Sequence, residues 1–473
     1  MTMTDTPEDR VLAQLDRGFT SYLEDIRTAV RQPSVSRTGE GLLAMADWVR
    51  AYLVRLGAEA RLVPGQVAPI VEGELRSPGA RRTLLFYDLY DVQPASPEGW
   101  IAPPFAADLM ADDRGGTMLV GRGTFNSKGP LVGFLAVLRA FREAGVPLPV
   151  NVRFLIEGEE EIGSPSLAPY LRANRESLRS CDAAFIPYLG TTSQGETPIR
   201  LGFKGLILLE LTVEGGDWGG PVRHDIHGMH SAWIDSPGWE LLHALASLHT
   251  REGRLTVDGL DGSVSGPDAD DRALIKEIAA GFRPEAWLAE LGAHRFMHAG
   301  GAEDLLTHLM FDPTLNVDAL FVGETRPGEE PATQMPRRAT AHVDLRLVPR
   351  MDVDITLRLL REHLDRRGFG HVRLRVKCAY PWSKSSPREP VVQALVTACR
   401  RHGGKVEVFP LHAGAAPMHL FSDLLGLPFA FGGLGHGLHS HAPNEFISVE
   451  GMRDFFRSMV SFLYAFAETP ARC

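Results

Sequence analysis

"LLFYDLYDVQP" spans residues 84–94. It reads as the end of a buried strand that runs into a polar loop with one acid, Asp91, at its mouth. The texture around it repeats that pattern. "RTLLFY" (82–87) is a strand, "PLVGFLAVLRAFREAG" (130–145) is a helix ending at Gly145, and "NVRFLIE" (151–157) is the next strand. "SPSLAPYLRANRESL" (164–178) reads as one helix and "AAFIPY" (183–188) as a further strand. Upstream, residues 8–31 are helical. In 40–57 the apolar residues Leu42, Met45, Trp48, Val49, Tyr52, Leu53 and Leu56 recur at helical spacing before Gly57. Strands alternating with helices predict an α/β fold with a mainly parallel sheet and helices on both faces. In such sheets, sites gather beyond the carboxyl ends of the strands, where the acidic loops of this chain fall.

From about residue 206 the texture changes. "GLILLELTVEGG" and "ATAHVDLRLVP" alternate like half-exposed strands, and "SPGWELLHALASLHT" and "DITLRLLREHLDRRG" are amphipathic helices. The α/β texture resumes near 385 with "REPVVQALVTACRRHG", then "PFAFGG" and a last helix near 449–467. The expected organisation is a discontinuous core domain, 1–205 and 385–473, with an inserted α+β lid or dimerisation domain, 206–384.

The chain has 473 residues and a formal net charge of −10, with no Lys/Arg tract. Length predicts two or more domains, and charge argues against nucleic acid or an anionic membrane as partner. No run approaches the roughly 18 apolar residues of a membrane span. The first ten residues, "MTMTDTPEDR", lack the basic and apolar regions of a signal peptide. Cys181, Cys378, Cys399 and Cys473 have neither zinc-ribbon nor redox spacing. Reduced cysteines in a cytoplasmic protein are the expectation.

Four acid- or histidine-bearing loops stand out: "YDVQP" (90–94), "GRGTFNSKGP" (121–130), "EGEEEIGSP" (157–165) and "HSHAPNE" (439–445). Together with "DIHGMHS" (225–231), "PTLNVD" (313–318), "MPRRA" (335–339) and "DLRLVP" (344–349), they resemble the M20 family of metallopeptidases, especially its carnosinase-like dipeptidase branch. The resemblance runs over nearly the whole chain. It implies a zinc-peptidase-like core and two zinc ions that activate a shared water and polarise a substrate carbonyl.

Carried over residue by residue, the resemblance is incomplete. The first histidine ligand falls on Leu89, although the acid that orients it is kept as Asp91. The bridging aspartate falls on Asn126, and the following position is Ser127. The general-base glutamate falls on Glu160 and the ligand glutamate on Glu161. The second aspartate falls on Tyr188, and the C-terminal histidine on His441. The histidine contributed by the inserted domain falls on His227. Leu89 and Tyr188 thus remove one zinc's terminal ligands together, and Asn126 weakens the bridge. A two-zinc centre is not expected. Either no metal binds, or one divalent cation, zinc by preference, sits on Glu161 and His441, with the Asn126 oxygen as a further donor. Two strong ligands fall short of the usual three for catalytic zinc.

The family's carboxylate-binding arginine falls on Leu411 in "LHAGAAP" (411–417). Arg346, Asn126, Lys128, His412 and His439 remain as candidate substrate-binding groups. Lys128 also reads as a loop pin and a counter-charge to nearby acids. Glu159, Glu160 and Glu161 are either a solvated acidic run or part of a site. His436, His439 and His441 are either satisfied loop histidines or a relocated metal site. Glu160, Asp91, His227 and Tyr188 are the candidate catalytic groups. Grouped carboxylates without a dication repel, which raises a pKa and makes metal-free acid–base chemistry available. Three functions stay open. One is acyl transfer, amide formation or cyclisation on a small amino-acid or peptide-like substrate. The others are one-metal dipeptide or amide hydrolysis, and non-catalytic binding. A homodimer through the inserted domain is expected from the resemblance.

Overall fold

The computed structural model describes residues 6–112, 115–323 and 333–470, so Cys473 lies outside the described residues. They form two compact units. The first runs to Leu201 and takes up Ser385–Phe409 and the chain from Leu420; the second comprises Gly202–Lys384 and Pro410–His419.

The first unit is built on an eight-stranded sheet. Its order is Glu59–Val63, Ile70–Leu75, Asn151–Glu157, Thr83–Leu89, Ala183–Pro187, Phe429–Gly432, Glu196–Arg200, Lys405–Phe409. The middle strands pair in parallel, and so do the last two. Antiparallel pairs at the Glu59–Val63 edge and between Phe429–Gly432 and Glu196–Arg200 make the sheet mixed. The opening stretch is the strand Thr83–Leu89, buried from Leu84 to Leu89. Both faces are covered, which is why it reads as a continuous apolar run. Phe86 stacks at 4.4 Å on Phe134 of the helix Lys128–Glu143, on one face. Tyr87, on the other, meets Phe421 at 4.9 Å.

Residues 164–178 are not one helix. They form Leu167–Ala173 and Arg175–Leu178, broken at Asn174, whose side chain donates to the Tyr170 carbonyl. That bond gives the backbone an alternative to continuing the helix. A small sheet, Gly437–Leu438, Phe446–Ser448, Thr117–Val120 and Asp108–Ala111, ties the 437–448 loop to the chain that enters the 121–128 loop.

The second unit holds an antiparallel sheet in the order Thr314–Val322, Arg338–Leu347, Gly202–Glu214, Arg373–Tyr380. Alternate residues such as Leu209, Leu211, Val343 and Leu345 face a core shared with Leu241 of the helix Pro237–Ala246 and Leu360 of the helix Val353–Arg366. Among the described residues, no helix is long and apolar enough to cross a membrane. Cys181, Cys378 and Cys399 are unpaired.

Candidate functional site

The carboxyl ends of Thr83–Leu89 and Asn151–Glu157 lie side by side, with Leu89 opposite Glu157. Just past Leu89, the buried Asp91 carboxylate accepts the backbone N–H groups of Glu160 (3.2 Å) and Glu161 (3.0 Å). It therefore sets the direction in which both glutamates leave the strand. Burial, then repulsion from Glu161, pushes Asp91 up to about 7 against the pull of its hydrogen bonds. Glu160 rises well above its ordinary value. Burial is the first cause, followed by the charges of Glu161, Asp91, Glu157 and Asp88.

The third side of the site comes from the loop 121–128, which carries a cis peptide between Asn126 and Ser127. The Asn126 amide lies 2.7 Å from Glu161 Oε1 and 3.0 Å from His441 Nε2, and that histidine nitrogen is 2.8 Å from the same carboxylate oxygen. A carboxylate only accepts, so the Asn126 nitrogen faces Glu161. The hydrogen bond to Glu161 raises the His441 pKa. Gln93 donates a further bond to Glu161.

Three carboxyls that carried no role in the sequence reading hold this arrangement. Glu445 is fully buried; it pairs with Arg122 at 2.7 Å and accepts the N–H groups of Gly123, Phe125 and Asn126 at 3.1, 3.0 and 2.8 Å. It thereby shapes the loop that presents Asn126. Asp88 accepts from Ser127 Oγ at 2.8 Å, and Glu157 accepts from Tyr87 and Ser164 at 2.5 and 2.9 Å. The second oxygen of Asp88 and of Glu157 is buried without a hydrogen-bond partner. Burial drives both pKa values upward, that of Glu157 to about 8. An acid inside an apolar run, as Asp88 is in "LLFYDL", was the available sequence signal.

The glutamate run is not a solvated stretch. Glu159 is buried and accepts the N–H groups of Val67, Ala68 and Ser166, so it pins neighbouring chain. The His436–His441 group is not a metal cluster. His436 Nδ1 meets the Thr191 carbonyl and His439 Nδ1 the Asn444 carbonyl, leaving only His441 at Glu161. Lys128 is fully buried and its Nζ donates to the Gln32 carbonyl at 2.5 Å, a chain-pinning contact. Burial lowers it to about 7 against the charges of Glu445 and Asp91. Tyr188 packs on Phe125 and Phe431 under the Arg200 guanidinium, with a hydrogen bond to Ser440.

Three candidates belong to the second unit. Exposed His227 caps a short 3-10 turn by accepting from Met229 N. Arg346 pairs with Asp344 at 2.6 Å, and His412 lies on a short strand beside Phe203.

The sequence profile described as "Peptidase family M20/M25/M40" matches residues 86–465. The chain belongs to this family. It is 26% identical to the Cys-Gly metallodipeptidase dug1 of Schizosaccharomyces pombe over 97% of this chain and 98% of the relative. It is 28% identical to the Beta-Ala-His dipeptidase of Homo sapiens over 76% of this chain and 71% of the relative. Its structure is similar to an M20 family metallo-carboxypeptidase, Sso-CP2, from Sulfolobus solfataricus. There the TM-score is 0.85 and the identity 30%, covering 95% of this chain and 99% of that one.

M20 peptidases of this kind are metal-dependent, which makes the donor set the test. Leu89 brings no donor, and the Asn126 nitrogen is turned toward Glu161 and His441. Among the described residues, no third His, Cys, Asp or Glu converges with that pair. A zinc pair draws on terminal ligands for both ions and a charged bridge; of that set, Glu161 and His441 are the donors in contact here.

Proposed function

We propose that this M20-family chain is an enzyme acting at the amide or acyl bond of a small amino-acid or peptide-like substrate, with its own carboxyls as the acid–base groups. The observation that carries this is the Asn126–Glu161–His441 contact beside Glu160, built on Asp91. It keeps a protonatable carboxyl next to a fixed carboxylate–imidazole pair. Glu160 takes and returns the proton, since burial and its neighbours hold its pKa far above the ordinary carboxylate range. Glu161 and His441 stabilise charge, and the Tyr188 hydroxyl is a further proton donor. The dipeptidase names of the relatives support a peptide-like substrate. A carboxyl base alone activates water less well than a dication does. The reading therefore favours transfer of the acyl group to an amine or hydroxyl acceptor.

The test is turnover of Cys-Gly and β-Ala-His, with and without amine acceptors, by wild type and Glu160→Gln. Products are read by mass spectrometry and metal by elemental analysis. The expected result is turnover that persists after a chelator has stripped the protein of metal, lost in the variant with the fold intact. Activity that tracks two added zinc ions overturns the reading.

One observation favours a second reading. Glu161, His441 and Asn126 lie within 3.0 Å of one another, a spacing that one divalent cation would exploit once the amide turned its oxygen inward. One equivalent of zinc, lost in His441→Ala together with hydrolysis, selects it. We further propose a homodimer through the second unit, supported by the exposed Val222, Met229, Trp233 and Trp239. Light scattering of the purified chain tests it.

A further inference from the structure

Away from the carboxyl site, the second unit brings two histidines and an aspartate together. His308 and Asp312 stand four residues apart at the end of the helix Ala302–Phe311, so they share one face. His308 Nδ1 lies 2.7 Å from Asp312 Oδ2. His298, from the loop that precedes this helix, stacks on His308 with ring centroids 4.1 Å apart. One donor atom from each of the three lies within 4.8 Å of the other two, and all three side chains are half-buried. Asp312 is fixed from the backbone side as well, because its carbonyl accepts Lys204 Nζ at 2.7 Å.

We propose that His298, His308 and Asp312 form a zinc site on the second unit. The chemistry of the donors selects the ion: two imidazoles and one carboxylate suit Zn²⁺ and its neighbours Co²⁺ and Ni²⁺ better than Ca²⁺ or Mg²⁺, which prefer all-oxygen sets. In a tetrahedral zinc site, bonds of about 2.0–2.1 Å put neighbouring donors about 3.3 Å apart. The metal replaces the His308–Asp312 hydrogen bond, whose proton leaves to solvent, and opens that pair by about half an ångström, which half-buried side chains accommodate. Three protein ligands leave a fourth position for water or an incoming donor. The ion ties the loop that carries His298 to the helix Ala302–Phe311, and so rigidifies a segment whose Arg295 and Met297 are exposed. Because the three residues belong to the second unit, the site does not depend on how the carboxyl site works.

The experiment is a Co²⁺ and Zn²⁺ titration of the full chain. It is run on wild type, His298→Ala/His308→Asn, Asp312→Asn and His441→Ala, each first checked by circular dichroism. The expected result is a tetrahedral Co²⁺ absorption band and one bound zinc in wild type and in His441→Ala. The double variant loses both, and Asp312→Asn shifts the band and weakens binding. Zinc also slows tryptic cleavage after Arg295 in wild type and not in the double variant. Metal binding that is unchanged in the double variant, or that disappears only with His441, overturns the site. So does a wild-type chain that gives no Co²⁺ band.

Discussion

Asn126→Asp puts a carboxylate where the structure has a hydrogen-bond donor, and its consequences follow from the distances at the site. The Asn126 nitrogen is 2.7 Å from Glu161 Oε1. Two unit charges at that separation, with an effective dielectric of about 20, repel by about 6 kcal/mol. The new carboxyl escapes that cost by taking up a proton. For a carboxyl of ordinary acidity at pH 7 this costs about 4 kcal/mol, at about 1.4 kcal/mol per tenfold. The smaller cost governs. His441, 2.8 Å from the same oxygen with its pKa raised by that contact, offsets part of it. A metal-free loss of about 3–4 kcal/mol remains, or roughly 10 °C in the thermal midpoint for a domain of this size. Zinc reverses the sign. The substitution supplies a third donor, a charged one, beside Glu161 and His441, which meets the usual count for zinc. Zinc at a hundred times its dissociation constant restores about 2.7 kcal/mol. The assay is differential scanning fluorimetry of wild type and variant in chelator and in graded zinc, with metal counted after desalting. A variant as stable as wild type in chelator, or indifferent to zinc, refutes the reasoning, because the three side chains would then not be in contact.

Other consequences are read the same way. Glu445→Ala strands the buried Arg122 charge and three backbone N–H groups, so it costs about 3–5 kcal/mol in urea unfolding. Glu157 and Asp91 hold their protons more tightly folded than unfolded, with folded values of about 8 and about 7. Between the unfolded range near pH ~4 and pH ~8, the folded chain therefore binds more protons and stability falls as pH rises; Glu157→Gln flattens that slope in chemical denaturation at stepped pH. Lys128 works in the opposite direction. Lowered to about 7 from 10.5, it binds its proton more weakly folded, so stability gains with pH across that interval, and Lys128→Met removes the gain.

The sequence made some of this legible and hid the rest for physical reasons. A strand buried on both faces must be apolar throughout, so Thr83–Leu89 was readable as a strand and Asp91 as the acid at its mouth. Glu160, Glu161 and His441 were placed by motif, and the structure brings Glu161 and His441 into contact. What did not show was the role of Glu445, whose partners come from some 320 residues away in the chain. Nor did periodicity reveal that Glu159 belongs to the scaffold, since a run of three glutamates gives no sign of which one turns inward.

The strand ending carries the most instructive case. Side chains alternate across a strand, so Tyr87 and Leu89 share the face of Glu157, while Asp88 points to the face of Ser127 and the helix Lys128–Glu143. The apolar residue at position 89 and the acid at position 88 are therefore separate facts about opposite sides of one sheet. Leu89 removes a donor from the site face. Asp88 adds a buried carboxyl behind the loop of Asn126 and contributes to the upward pressure on Glu160. Charges from Asp88 on one face and Glu157 on the other thus press together on Glu160.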